Sequence, residues 1–191
     1  MPKLEILIAA QDIGSEEQLP MVARQGIAQG VSGLMINQTK ARPNWESPSK
    51  KLRIRHFSES GISNSRNRAL ENAKGEILLI TDEDVELLEG MPRFVEEAFE
   101  NNPEADIITF QTLNEKGLKR KNYSDSPFWH NIRTVMQVSS IEIALRRASV
   151  VQNAIEFDSK FGIGSRFPTG CENVFLSDCL LYTSDAADDF A

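Results

Sequence analysis

Residues 65–84 read SRNRALENAKGEILLITDED. The second half holds EILLIT at 76–81, a short apolar run bounded by Gly75 and by three acids, which predicts a buried strand. In front of it Ile62, Arg66, Ala69, Leu70 and Ala73 keep a helical spacing, with Ser63 as expected N-cap and Gly75 as stop. The chain therefore enters a buried strand from a helix and leaves it through Asp82, Glu83 and Asp84.

The same alternation extends outward in both directions. LEILIAA at 4–10 predicts a strand followed by a polar loop, and Ser15 is placed to cap a helix running through Leu19, Val22, Ala23 and Ile27, with Gly26 and Gly30 as stops. GLMIN at 33–37 and residues 52–57 predict two further strands, separated by an irregular loop at 39–51 that carries Pro43, Trp45 and Pro48. Pro92 suits the first turn of a helix whose face is Phe94, Val95, Ala98 and Phe99 and which ends at Asn101, Asn102 and Pro103. ADIITF at 105–110 is the next expected strand. Strands alternating with helices imply a mostly parallel sheet flanked by helices, with ligands beyond the carboxyl ends of the strands.

Beyond residue 111 the pattern weakens. A polar loop carries Lys116, Lys119, Arg120 and Lys121, a strand is expected at 140–145, a mobile glycine-bearing loop at 161–170 and a helix at 172–180. Residues 181–191 (LYTSDAADDFA) do not continue that helix face and resemble a translated adapter tail, so the expected domain is 1–180, cut short at its C-terminal side.

Composition narrows the function. The 191 residues suit one core, and an excess of 28 acidic over 21 basic residues, net charge -7, argues against a nucleic-acid partner. No apolar stretch is long enough for a transmembrane segment and no secretory signal opens the chain, so the expected location is cytoplasmic, with a peripheral association at the inner membrane face as an allowed variant. With 2 histidines and 2 cysteines spaced eight apart, a metal site has to rest on carboxylate oxygens, which favours Mg²⁺ or Mn²⁺ over zinc.

Asp82 and Asp84 leave a buried strand at the sheet edge where a charged ligand would bind, although an isolated D-x-D is more often a solvated turn or a helix cap. Arg66 and Arg68 stand in the opening turns of a helix, where cations oppose the dipole unless an anion joins them. Arg68 is expected to point into water or to pair with Glu59 and Glu71, and Arg66 to meet a ligand. Glu172, following the glycine-bearing loop, has the position of a general base or of a helix-start acid. Trp129 and His130 are acceptor-side candidates.

Taken together, SRNRALENAKGEILLITDED at 65–84 and FDSKFGIGSRFPTGCENVFL at 157–176 resemble the core of family 2 glycosyltransferases. The resemblance implies a Rossmann-like GT-A α/β fold and an inverting transfer from a nucleotide-sugar donor, a UDP-sugar first among candidates, to a hydroxyl-bearing glycan or lipid-linked acceptor, in polysaccharide or glycoconjugate synthesis. It also implies Asp82 and Asp84 as the acidic motif holding Mn²⁺ or Mg²⁺, Arg66 as diphosphate contact, Glu172 as base, and Ala10, Gln11 and Asn37 as nucleoside contacts. The sequence departs from the family pattern in three places: the first strand lacks the usual proline and aromatic pattern, Asn37 replaces a common acid, and Cys171 replaces a second acid before Glu172. The competing expectations are a sugar nucleotidyltransferase, which the single glycine of AAQDIGSEE serves poorly, a receiver-like or nucleotide-binding module without catalysis, and an inactive transferase fragment.

Overall fold

The computed structural model describes residues 2–41, 43 and 45–182. Six strands form one sheet: β1 (Leu4–Gln11), β2 (Ser32–Gln38), β3 (Leu52–Phe57), β4 (Ile77–Asp82), β5 (Ile107–Thr109) and β6 (Ile143–Arg146). Five helices accompany them: α1 (Met21–Ala28), α2 (Ile62–Asn72), α3 (Met91–Asn101), α4 (Arg147–Gln152) and α5 (Cys171–Tyr182). The strand order is β3-β2-β1-β4-β6-β5. Pairings from β3 through β4 are parallel, whereas β6 runs antiparallel to both β4 and β5. The expected mixture of a parallel sheet and flanking helices is thus realised, with one reversed strand inserted near an edge.

Period-2 alternation on strands buried on both faces divides the core in two. Leu7, Leu34, Ile36, Leu78 and Ile80 face Ala69 of α2 and Phe175 of α5. Ile6, Ile8, Met35 and Leu79 face Val22 of α1 and Val95 and Phe99 of α3. Each such side chain, fully withdrawn from water, contributes about 1.5–3 kcal/mol. On the first face Phe157 and Phe175 stack with ring centroids 4.1 Å apart, bringing the late segment against the sheet. The buried Glu5 on that face accepts from Arg53 at 2.8 Å and from the Gly75 amide at 2.9 Å, closing the amino end of the sheet with an ion pair.

Several boundaries differ from the sequence expectation, each for a local reason. Ser15 makes no side-chain cap, and the chain forms only a 3₁₀ turn at Glu16–Gln18 before α1. Pro20 holds Leu19 extended, at φ -53° and ψ 131°, so the α-helix starts after the proline. Gly26 does not stop α1; it lies within it on the side that faces Ile6, and Gly30 at φ +73° makes the turn out. Gly61, not Ser63, precedes α2, and Ser63 sits in the first turn donating to the Phe161 carbonyl at 2.7 Å. Phe94 is 62% exposed and edges against Phe110 instead of joining Val95 and Phe99 in the core.

The strand expected at 105–110 shortens to Ile107–Thr109 because its partner β6 offers four residues. The strand expected at 140–145 begins only at Ile143. Residues Ser140–Glu142 instead form a 3₁₀ turn, closed by the Glu142 carboxylate accepting from the Ser139 amide at 3.0 Å. Residues 183–191, most of the suspected tail, lie outside the described residues.

Candidate functional site

From β1 the chain winds to β2 and β3 on one side, then crosses through α2 to β4 on the other side of β1. The order of the strands therefore reverses between β1 and β4, and a crevice opens at their carboxyl ends. Asp82 closes β4 there, paired in register with Ala9, and Asp82, Glu83, Asp84 and Val85 form a tight turn through a Val85 amide to Asp82 carbonyl bond of 3.3 Å. Glu83 folds back across the crevice to accept from the Gln11 amide at 3.3 Å. Burial pushes the Glu83 carboxyl above its ordinary range, with the neighbouring Asp84, Asp82 and Asp12 adding to the rise. Four acids thus lie at the adjoining carboxyl ends of β1 and β4.

The counter-charge is Arg66. Its side chain is 6% exposed and donates to Asp82 Oδ1 at 3.1 Å, to Ser140 Oγ at 2.7 Å and to Cys171 Sγ at 3.1 Å. Cys171 in turn lies 3.1 Å from Glu172 Oε2. One guanidinium thereby joins three separate segments, the end of β4, the turn before β6 and the start of α5. The cation that the sequence leaves waiting for an anion already has Asp82. Arg68, two residues further along α2, takes the paired one of its two expected arrangements, with Glu59 at 3.1 Å and Glu71 at 3.0 Å.

The loop at 161–170 is tied down more firmly than its glycines suggest. The Ile62 amide at the start of α2 donates to the Ile163 carbonyl at 3.0 Å, and the Gly162 amide donates to the Phe167 carbonyl at 2.7 Å. Gly162, at φ +97°, touches the α2–α5 contact so closely that a Cβ there would lie 2.5 Å from Ile62 and 3.2 Å from Cys171 Sγ. The loop thus delivers Cys171 and Glu172 to the guanidinium of Arg66.

The nucleoside candidates divide between the two faces. Ala10, Asn37 and His56 are register partners across β1, β2 and β3. By alternation they belong to the face of α1 and α3, whereas Gln11 and Asp82 belong to that of α2 and α5. Asn37 is fully buried: its Oδ1 accepts from the Ile13 amide at 3.1 Å, and its Nδ2 donates to the Ile13 carbonyl at 2.7 Å and approaches His56 Nδ1 at 3.1 Å. In this arrangement Asn37 shapes the loop after β1, where Asp12 takes a left-handed φ of 54°. Burial holds the His56 imidazole below its ordinary range. Gln38, not singled out from the sequence, donates to the Gly61 carbonyl at 3.0 Å and links β2 to the start of α2.

Sequence reasoning also passes over Glu142, 3% exposed, which accepts from the Tyr123 hydroxyl at 2.6 Å and pairs with Lys121 at 2.9 Å. This network fastens the excursion 111–139 to the start of β6. Trp129 is 65% exposed, while His130 is anchored between Thr109 Oγ1 at 2.8 Å and Thr134 Oγ1 at 3.1 Å. The only signal available for Glu142 is an acid directly before the apolar run Ile143–Leu145.

The donor set fits a hard divalent cation that draws part of its coordination from a ligand. Among the described residues no three acid, histidine or cysteine side chains gather to hold an ion alone. Mg²⁺ and its like bind through one or two carboxylates plus substrate phosphates, which is what Asp82 and the exposed Asp84 could offer.

The Glycosyl transferase family 2 model matches residues 40–158, more than half of the chain and including α2, β4 and the acidic turn. The chain belongs to glycosyl transferase family 2. Among solved structures this family 2 chain is similar to S. aureus TarS 1-349, at TM-score 0.66 and 15% identity, over 95% of this chain and 56% of that one. The same TarS fragment in complex with UDP matches at TM-score 0.63 and 14% identity over 94% and 55%, and in complex with UDP-GlcNAc at TM-score 0.60 and 14% identity over 92% and 54%. The chain thus spans about half the length of these structures, and the likeness establishes the GT-A fold. No curated relative matches the sequence. No helix among the described residues is long and apolar enough to cross a membrane.

Proposed function

We propose that this chain forms the donor-binding core of an inverting, metal-assisted glycosyltransferase that moves a sugar from a nucleoside diphosphate to the hydroxyl of a glycan or lipid-linked acceptor. One observation carries the reading: Arg66 joins the acidic turn to Cys171–Glu172 through contacts of 3.1 Å on either side. This supports a reading in which a leaving-group site and a base share one connection above a topological switch point. UDP is the nucleotide of choice, by analogy with the complexes of the TarS fold relatives. A role in polysaccharide or glycoconjugate assembly, at the cytoplasmic side of a membrane, belongs to the same reading.

In the reaction the acceptor oxygen attacks the anomeric carbon from the side opposite the diphosphate. Glu172 takes the hydroxyl proton as the new carbon–oxygen bond forms. The bond to the diphosphate breaks with its electron pair on the departing phosphate oxygen, and configuration inverts. Arg66, behind Asp82, places fixed positive charge beside that departure without reorganising. Asp82 and Asp84 would hold Mn²⁺ or Mg²⁺, which when bound supplies charge neutralisation on the leaving group. Gln11, Ala10 and the Asn37-supported loop border the nucleoside.

A sugar nucleotidyltransferase is disfavoured by the loop after β1, whose single glycine already spends its amide on Gln18 Oε1 at 2.7 Å. Calorimetry with UDP tests the proposal: binding should require Mn²⁺ or Mg²⁺, Asp84→Ala should abolish it, and Glu172→Gln should keep it while donor turnover falls by about 10²–10⁴. Equal affinity of Asp84→Ala in the presence of Mn²⁺ overturns the metal assignment.

A further inference from the structure

We propose that Cys171 is a positioning residue that ties the base Glu172 to the donor side of the site through its sulfur; this rests on Glu172 being the base. A buried cysteine is ordinarily a small hydrophobe, and Cys171, 3% exposed and packed with the α2 face of the sheet, could be read in that way. The geometry says more. The sulfur accepts from Arg66 Nη1 at 3.1 Å and lies 3.1 Å from Glu172 Oε2, to which its own proton can be donated. Arg66, fixed at its other end by Asp82 at 3.1 Å and Ser140 at 2.7 Å, cannot move without disturbing them.

Space has been made for the sulfur. Gly162, at φ +97°, passes so close that a single added carbon would sit 3.2 Å from Sγ, and Ser63, which supports the same loop through the Phe161 carbonyl at 2.7 Å, stands in the α2 turn beside it. The proton needed for the Glu172 contact is retained: burial pushes the Cys171 thiol up, Arg66 pulls it partly down, and Glu172 pushes it up again. A neutral thiol can accept from a guanidinium and donate to a carboxylate at once. A carboxylate at this position could do only the first, and would set two negative charges side by side at the start of α5.

The role differs from packing in what it transmits. Cys171 fixes which way the Glu172 carboxylate faces relative to the acidic turn, so its loss should appear in turnover and not in donor binding. Cys171→Ala should lower kcat about tenfold with the KM and calorimetric affinity for UDP-sugar unchanged, because misplacement of a base is costly to the reaction and not to the ground state. Cys171→Ser, which can still accept and donate, should recover most of the loss. In infrared difference spectra, the S–H stretching band assigned to Cys171 by its disappearance in Cys171→Ala should shift in Glu172→Gln, a readout that requires no turnover.

An unshifted S–H band, or a Cys171→Ala enzyme with the parent kcat, overturns the positioning role while leaving Glu172 as base. Equal losses in Cys171→Ala and Cys171→Ser also overturn it, in favour of packing. A Glu172→Gln variant that keeps full turnover removes the base itself, a failure read from that variant alone.

Discussion

Arg66 and Asp82 face each other across 3.1 Å at the carboxyl end of β4, with 6% of one side chain and 33% of the other exposed. The asymmetry makes Asp82 the accessible partner: it can turn toward a ligand while Arg66 stays behind it, buried and fixed by Ser140 and Cys171.

Arg66→Met should therefore damage folding as well as donor binding. Removing one partner of a buried ion pair costs about 3–5 kcal/mol, and the partial exposure of Asp82 lowers this to about 2–3 kcal/mol. Urea denaturation measures the loss, and a midpoint equal to that of the parent would show that the guanidinium is not the hub described.

Gly162→Ala should lose stability by about 1–3 kcal/mol, since it combines a left-handed φ with overpacking against Ile62 and Cys171. Turnover of the remaining folded protein should fall too, because Glu172 follows Cys171 directly. Thermal unfolding and initial rates on the same preparation separate the two effects.

Glu5→Gln provides the opposite control. Glu5 is 1% exposed at the amino end of the sheet and holds Arg53 and the Gly75 amide. Its substitution should cost about 3 kcal/mol of stability and leave the affinity for UDP with Mn²⁺ unaltered below the unfolding transition. A changed affinity would contradict the placement of this ion pair away from the crevice.

Acidification should weaken the fold through its two histidines. Burial depresses both His56 and His130 below the ordinary value of 6.5, for His130 against a smaller opposing pull from Glu142. As pH falls through 6.5, the unfolded chain takes up protons that the folded chain refuses, so stability is present above that pH and declines from there toward the depressed folded values. The urea midpoint should be lower at pH 5.5 than at pH 7.5, and the difference should shrink in a His56→Gln, His130→Asn variant. An identical difference in both proteins would count against the two imidazoles.

Much of the frame is legible in the sequence because parallel strands buried on both faces must be apolar runs: LEILIAA, GLMIN and EILLIT are recognisable without any partner. The acidic turn, Arg66 and Glu172 are legible as residue types in a familiar order. What escapes the sequence is whatever a distant partner decides. Glu5 looks like a surface acid until Arg53 and Gly75 meet it, and Gly61 takes the helix boundary from Ser63 because its φ of +99° and bare Cα suit the close approach of the loop at 161–170, whose Ile163 carbonyl accepts from the Ile62 amide. Strand β6 is reversed by a turn capped through Glu142, and nothing within residues 140–145 announces direction. Cys171, which in the sequence is only a departure from the acid expected before Glu172, gains its place from contact with Arg66, 105 positions away along the chain.

The reversal of β6 has an architectural outcome. Because β5 ends where β6 begins, with Thr109 opposite Ile143, the excursion 111–139 departs from and returns to the same end of the sheet, that of the β4 carboxyl terminus. It is clamped at its base by Glu142, Tyr123 and Lys121 and contributes few residues to either buried face. Such a segment behaves as an exchangeable cassette: its length and side chains can be rewritten while the strands, the acidic turn and the arginine remain as they are.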